Sequence, residues 1–257
     1  MDNAEKELRF EYHGGPVLSR LRFYLVYWGS HWKTNEGKQL VSRVTESAGN
    51  MVDGGYLSQL AQYNRPPGQP FEVMSVTAVL DDGSDPPNPF ADSEGKGRSD
   101  VRDEIKSLID RKVLDPHSDP NSDALYMVIM PRGLTCSTAD DDGETGAGQH
   151  FYFDLNGRNI YYGWVRSGSS ERVLERITTT LSEELVEAIT DPIPGKGWVG
   201  SEATEDVEVC DACEGVNARV NGVLVRTYYS NADEDCVAGK PAALAAGGIA
   251  KPASAQG

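Results

Sequence analysis

Short apolar runs alternate along the chain with polar stretches rich in glycine and proline. Residues 21–28, LRFYLVYW, are apolar and aromatic between Arg20 and Gly29, the composition of a buried strand. A polar stretch follows, and a helix is expected over 38–48. YLSQLAQY at 56–63 groups Leu57, Leu60 and Ala61 on one side of a short amphipathic helix. FEVMSVTAVL at 71–80 alternates closely enough for a strand. DVRDEIKSLIDRKV at 100–113 places Val101, Ile105, Leu108 and Ile109 on one helical face, with Ser99 or Asp100 as cap. ALYMVIM at 124–130 is apolar without a break, so it should lie centrally in a sheet with both faces covered. Residues 149–154 and 159–165 read as a hairpin turning at Asn156-Gly157. After the loop expected at 192–201, a short strand is expected over 223–229, behind Asn221-Gly222.

The stretches between these runs are legible as loops. Residues 81–97 hold three prolines, three glycines and a string of acids, and read as an exposed loop. Asp81, Asp82 and Asp85 lack the glycine and glutamate spacing of an EF-hand. Residues 138–148 form a second acidic, glycine-rich loop. Beyond Gly239 the chain becomes low in complexity without a usable apolar face, and residues 1–9 are polar, so both ends are expected to be disordered. A single domain over 10–238 remains. Its fold class is mixed α/β (α+β), a twisted mixed sheet with a few helices.

The longest periodic stretch is ERVLERITTTLSEELVEAITDP, residues 171–192. Val173, Leu174, Ile177, Leu181, Leu185 and Ala188 recur at helical spacing, and at roughly 100° per residue they span an arc of about 120°. Glu184 falls inside that arc. Glu183 and Glu187 lie beside it, and Asp191 falls at its edge if the helix lasts that long. Glu183 and Glu187 are one turn apart, where like charges cost roughly 0.2–0.5 kcal/mol without a partner. A cation would relieve that repulsion. A solvated acidic edge is the alternative, and it suits Glu184 least, because a buried carboxylate needs a partner or a raised pKa.

Charge and composition narrow the function classes. The formal net charge of −16 over 257 residues argues against a nucleic-acid or anionic-membrane partner and is compatible with cation binding. No run approaches the ~20 apolar residues of a transmembrane helix. The N-terminal MDNAEKELRFEY has no secretory signal, which gives a cytoplasmic expectation, or a secreted one if a leader was removed. No GxSxG elbow, P-loop or dinucleotide fingerprint occurs.

Of the four histidines, His150 opens an expected strand just ahead of the long helix and could face it; His13 lies in a turn, and His31 and His117 lie in polar loops. Four cysteines, Cys136, Cys210, Cys213 and Cys236, are too few for a disulfide scaffold at this length. Cys210-x-x-Cys213 lacks the second CxxC of a structural zinc site.

Several segments, taken in order, resemble the phosphate-induced, EXORDIUM-like family. They are YHGGPVL (12–18), YLVYWGSHW (24–32), YLSQLAQY, LSEELVEAITDP (181–192), Gly197-Trp198, EVCDACEGV (208–216) and YYSNADEDCV (228–237). Many relatives carry a His-Glu pair on the long helix, similar to the start of a zincin metallopeptidase motif, in which a His binds zinc and the next Glu is general base. Glu184 matches the general-base position, whereas Glu183 stands where the His belongs and Glu187 where a second zincin His would be. The resemblance implies a zincin-like fold and, by family habit, a disulfide between Cys213 and Cys236. It also makes Glu208 and Asp211 potential ligands, because the segment after a zincin helix often returns to the site. The expected function is a divergent metal-dependent hydrolase in which Glu184 polarises water. Glu183, Glu187 and Asp191, with His150 or Glu208, would hold a divalent cation (zinc, calcium or manganese). The alternative is a non-catalytic family member with a calcium-binding or metal-free acidic face. The partner would be an unidentified small molecule or peptide.

Overall fold

The computed structural model describes residues 8–81, 83–93, 97–116, 121–138, 148–168, 171–200 and 207–240. Asp82, His117, most of the acidic stretch 138–148, and the two ends expected to be disordered, apart from residues 8–9 and 239–240, lie outside them. In chain order the elements are β1 (Phe10–Tyr12), β2 (Arg20–Trp28), α1 (Asn35–Asp53), a 3₁₀ helix (Tyr56–Tyr63), β3 (Glu72–Asp81), α2 (Asp100–Asp110) and β4 (Asp123–Met130). There follow β5 (Gly148–Leu155), β6 (Arg158–Arg166), α3 (Val173–Thr190), β7 (Trp198–Gly200), β8 (Asn217–Val220), β9 (Val223–Arg226), β10 (Tyr228–Ser230) and β11 (Asp235–Val237).

A mixed five-stranded sheet in the order β3-β2-β4-β6-β5 is the framework. Its first four strands are parallel and β5 runs antiparallel at one edge, joined to β6 through Asn156-Gly157, both at positive φ as a tight hairpin turn requires. The chain crosses from β2 to β3 by way of α1, then back over β2 to β4 by way of α2. A crossover that reverses direction but keeps its hand must change face, and α2 does lie on the face opposite α1. The alternation of β4 divides accordingly. Leu125, Met127 and Ile129 pack with α1 and α3, while Ala124, Tyr126, Val128 and Met130 pack with α2. The uninterrupted apolar run at 124–130 is thus the central strand, as its composition implies.

Several local expectations are corrected. The first helix runs from Asn35 to Asp53, longer than 38–48 at both ends; it starts early because the Thr34 hydroxyl accepts the Gly37 amide at 3.0 Å and caps it. Residues 56–63 wind as a 3₁₀ helix. The expected loop 192–201 contains β7, which pairs with β1. The expected strand 223–229 breaks at Thr227 into β9 and β10, paired with β8 and β11. Strands of three or four residues are too short to show a period-two pattern, so their pairing could not be read in advance.

On the α2 side of the sheet Asp92 is a buried acid. Asp92 accepts hydrogen bonds from the Ser99 and Tyr162 hydroxyls, leaving Ser99 Oγ to accept the Arg102 amide and cap α2. Burial raises the Asp92 carboxyl to about 6 in spite of those donors. A folded pKa above the unfolded value means stability that is complete below about 4 and lost as pH rises through 6, on the order of 3 kcal/mol. Asp92→Asn is expected to flatten that part of the pH–stability curve, as urea titrations at pH 4, 5, 6 and 7 would show; an unchanged slope would contradict the assignment.

Candidate metal centre

From Ile177 onward α3 is enclosed on nearly every side. The sheet and α1 cover its apolar arc, and the β8–β9 hairpin and β5 cover the rest. Glu184 and Glu187 are therefore buried, at 5% and 4% exposure, and Glu183 is half-buried. β5 approaches this surface at Gly148, where a Cβ would come within 2.6 Å of both Glu184 Oε1 and Thr180 Cγ2. Only glycine lets the strand lie so close, and that closeness brings His150, two residues on, against the helix.

His150 is the hub of the cluster. Its Nδ1 lies 3.3 Å from Glu184 Oε2 and 3.9 Å from Glu187 Oε2. Its Nε2 lies 3.4 Å from Glu208 Oε1 and 3.2 Å from the Asp191 carbonyl. Glu208 arrives on the segment before a short 3₁₀ turn, Asp211–Cys213. That segment is anchored by the Gly200 amide on the Val207 carbonyl, the Tyr229 amide on the Val209 carbonyl, and the Cys213–Cys236 disulfide. The Asp211 carboxylate accepts the Glu208 amide at 3.0 Å. Helix, strand edge and loop enclose a cleft of about 450 Å³ whose floor is carboxylate.

Each acid is compensated differently. Glu183 faces Arg226 of β9, with Nε to Oε1 and Nη2 to Oε2 both at 3.3 Å. Asp191, expected in the ligand set, spends its carboxylate elsewhere, accepting the Gly195, Lys196 and Gly197 amides that shape the turn after α3. That turn docks the N-terminal segment, since the Lys196 and Gly197 carbonyls accept the Gly15 and His13 amides. Glu184 has His150. Glu187 Oε1 and Glu208 Oε1 are buried without a hydrogen-bond partner.

Among the described residues two groups can gather round an ion, with donor atoms within 4.8 Å of one another. One is His150, Glu187 and Glu208; the other is Glu183, Glu187 and Asp211. Of the residues proposed from sequence, Glu183, Glu184, Glu187, His150 and Glu208 all line the cleft, and Asp191 does not. Arg226 and Gly148 were not anticipated. Arg226 sits in an otherwise apolar four-residue strand, and only the packing of that hairpin on α3 reveals its role. Elsewhere, Asp81 is engaged by Arg111 and Asp85 by the Ser30 amide, so neither presents a free carboxylate in the 81–97 loop. Cys136 and Cys210 are buried free thiols.

Burial dominates the electrostatics. It lifts the Glu184 carboxyl to about 7 against the opposing pull of His150. It raises Glu187 well above the usual range, helped by Glu208 and Glu184, and raises Glu183 in spite of Arg226. Burial alone would neutralise the His150 imidazole, but Glu208 and Glu184 outweigh it and lift its pKa well above the ordinary value. All four groups therefore hold protons more tightly folded than unfolded. Their contribution is complete below the unfolded carboxylate range, near 4, and is lost as pH rises through 7 and above.

Chelator-treated protein is accordingly expected to melt at progressively lower temperature from pH 5 to pH 8, with a smaller decline in Glu184→Gln. A melting temperature that rises over this interval would contradict the assignment. Gly148→Ala is expected to push β5 from α3 and cost about 1–3 kcal/mol, measurable by denaturant unfolding. Compared with protein-family models, with curated proteins and with solved structures, the chain has no match in any of the three.

Proposed function

We propose that the cleft binds a divalent cation through His150, Glu187 and Glu208, and that Glu184 beside them activates water in a metal-dependent hydrolytic reaction. The observation that carries this reading is Glu187 Oε1, a buried carboxylate oxygen with no donor to meet it. Leaving such an atom unpaired in the folded protein costs about 1–3 kcal/mol, and more once the group is ionised; a cation removes the penalty. The donor set of one imidazole and two carboxylates suits zinc or manganese; calcium takes oxygen donors and would leave the imidazole unused. Binding requires that the protons held by His150 and the glutamates depart, so affinity should fall at low pH.

A bound cation would polarise a substrate carbonyl or phosphoryl oxygen and lower the pKa of bound water. Glu184 supplies a buried carboxylate beside the proposed ligands that could take and return a proton. Resemblance to the zincin helix supports the reading at Glu184 alone, since Glu183 replaces the zinc-binding His and is paired with Arg226.

A second reading is favoured by the contact between Glu184 and His150 Nδ1. A carboxylate holding one ring nitrogen so that the other faces a metal is an orienting group. Glu184 would then serve binding in a non-catalytic protein. The Cys213–Cys236 disulfide supports an oxidising compartment, and with it the secreted alternative over the cytoplasmic one.

Elemental analysis of protein purified without chelator is expected to find zinc or manganese, which Glu187→Gln loses while keeping its fold by circular dichroism. Absence of both metals, together with no calorimetric binding of either, would refute the proposal. Glu184→Gln separates the two readings. Retained metal with abolished hydrolysis assigns catalysis, whereas affinity lowered by about 10–100-fold assigns orientation.

A further inference from the structure

We propose that the centre is dinuclear, with Glu187 bridging two cations, an inference that rests on the single-cation reading above. The two candidate groups share only Glu187. Its Oε2 lies on the His150 side, 3.9 Å from Nδ1, while Oε1 is buried and unpartnered. A carboxylate can offer its two oxygens to different ions. Glu183 and Asp211 complete the second group, of which His150 is not a member, and all its donors come within 4.8 Å of one another. Metal–oxygen bonds of about 2.0–2.2 Å allow donor separations up to about 4.4 Å, so side-chain adjustments of a few tenths of an ångström would close the second site.

Charge points the same way. Glu183, Glu184, Glu187, Glu208, Asp211 and Glu214 line the cleft with one guanidinium, Arg226. With His150 neutral and all six carboxyls ionised, as metal binding would require, one divalent cation leaves three net negative charges in the cleft and two leave one. Arg226 remains beside Glu183, whose oxygens have lone pairs to spare. Its positive charge makes the second site the weaker of the two. The second donor set is all carboxylate, which suits manganese, magnesium or calcium, whereas the imidazole marks the first for zinc or manganese. Manganese fits both. Two ions sharing a carboxylate at about 3.5–4 Å can stabilise both the attacking and the leaving oxygen of a displacement, which suits a phosphoester or amide substrate.

The test is titration of the chelator-treated full chain with Mn(II), followed by calorimetry and by frozen-solution electron paramagnetic resonance. Two equivalents are expected, the second at least tenfold weaker. As the second binds, the isolated six-line signal should give way to that of a spin-coupled pair. Glu183→Gln and Asp211→Asn should each bind one equivalent with the isolated signal. Arg226→Gln should tighten the second equivalent, an effect opposite in sign to structural damage. One equivalent in the parent protein, or two without coupling, overturns the bridge and leaves the single-cation reading standing. No bound manganese or zinc overturns both.

Discussion

The desolvation of carboxylates on α3 is the constraint to which the surrounding structure answers. An ionised group taken out of water costs several kcal/mol unless donors or opposite charge replace the lost hydration. Asp191 is met by three backbone amides of the following turn, and Glu183 by Arg226 reaching over from β9. Glu184 is met by His150. These are separate local solutions, each supplied by a different part of the chain. Glu187 lies at the middle of the buried length and has none for its Oε1.

The architecture places the compensating groups within reach. β5 is the one antiparallel strand of the sheet and lies at its edge, so its residues can face a helix packed across β4 and β6. Gly148 removes the side chain that would hold it off. The opposite wall comes from a segment with little regular structure, in which an unconstrained Glu208 would sample many positions. Two backbone hydrogen bonds and a disulfide restrain it instead. A loop anchored on both sides loses less entropy when it closes on a ligand, which is the condition for a preorganised site.

Part of this was legible in the sequence, and the division follows from physics. The helical arc placed Glu184 toward the interior because the apolar residues flanking it fix one face, and His150 could be placed near the helix because the hairpin it opens leads into that helix. The same arc misjudged Glu187, which was set beside the buried face and is in fact as enclosed as Glu184. A periodicity argument assumes that the polar side of a helix meets water. Here the β8–β9 hairpin covers that side, and its strands of four residues each carry too little pattern to announce themselves. Arg226 was invisible for the same reason. Asp191 was misassigned because spacing along a helix says nothing of the turn beyond it, whose amides claim the carboxylate.

A helix buried on all sides is ordinarily apolar all round. α3 departs from that rule with hydroxyls at 178, 180, 182 and 190 and with charged groups at 183, 184 and 187, while Leu181, Leu185, Val186 and Ile189 around them obey it. A purely structural ion network would be expected to satisfy every member, since a partly satisfied one is less stable than an apolar replacement. This one gives Glu183 a guanidinium and Asp191 three amides, leaves Glu208 only its 3.4 Å contact with His150, and stops short at Glu187 Oε1, on a residue that lines the cleft. Local violations of folding rules without an internal remedy concentrate where a protein meets a ligand. The incomplete compensation of Glu187 beside an open cleft, more than the acidity of the helix, is what supports the proposed cation centre over a solvated acidic patch.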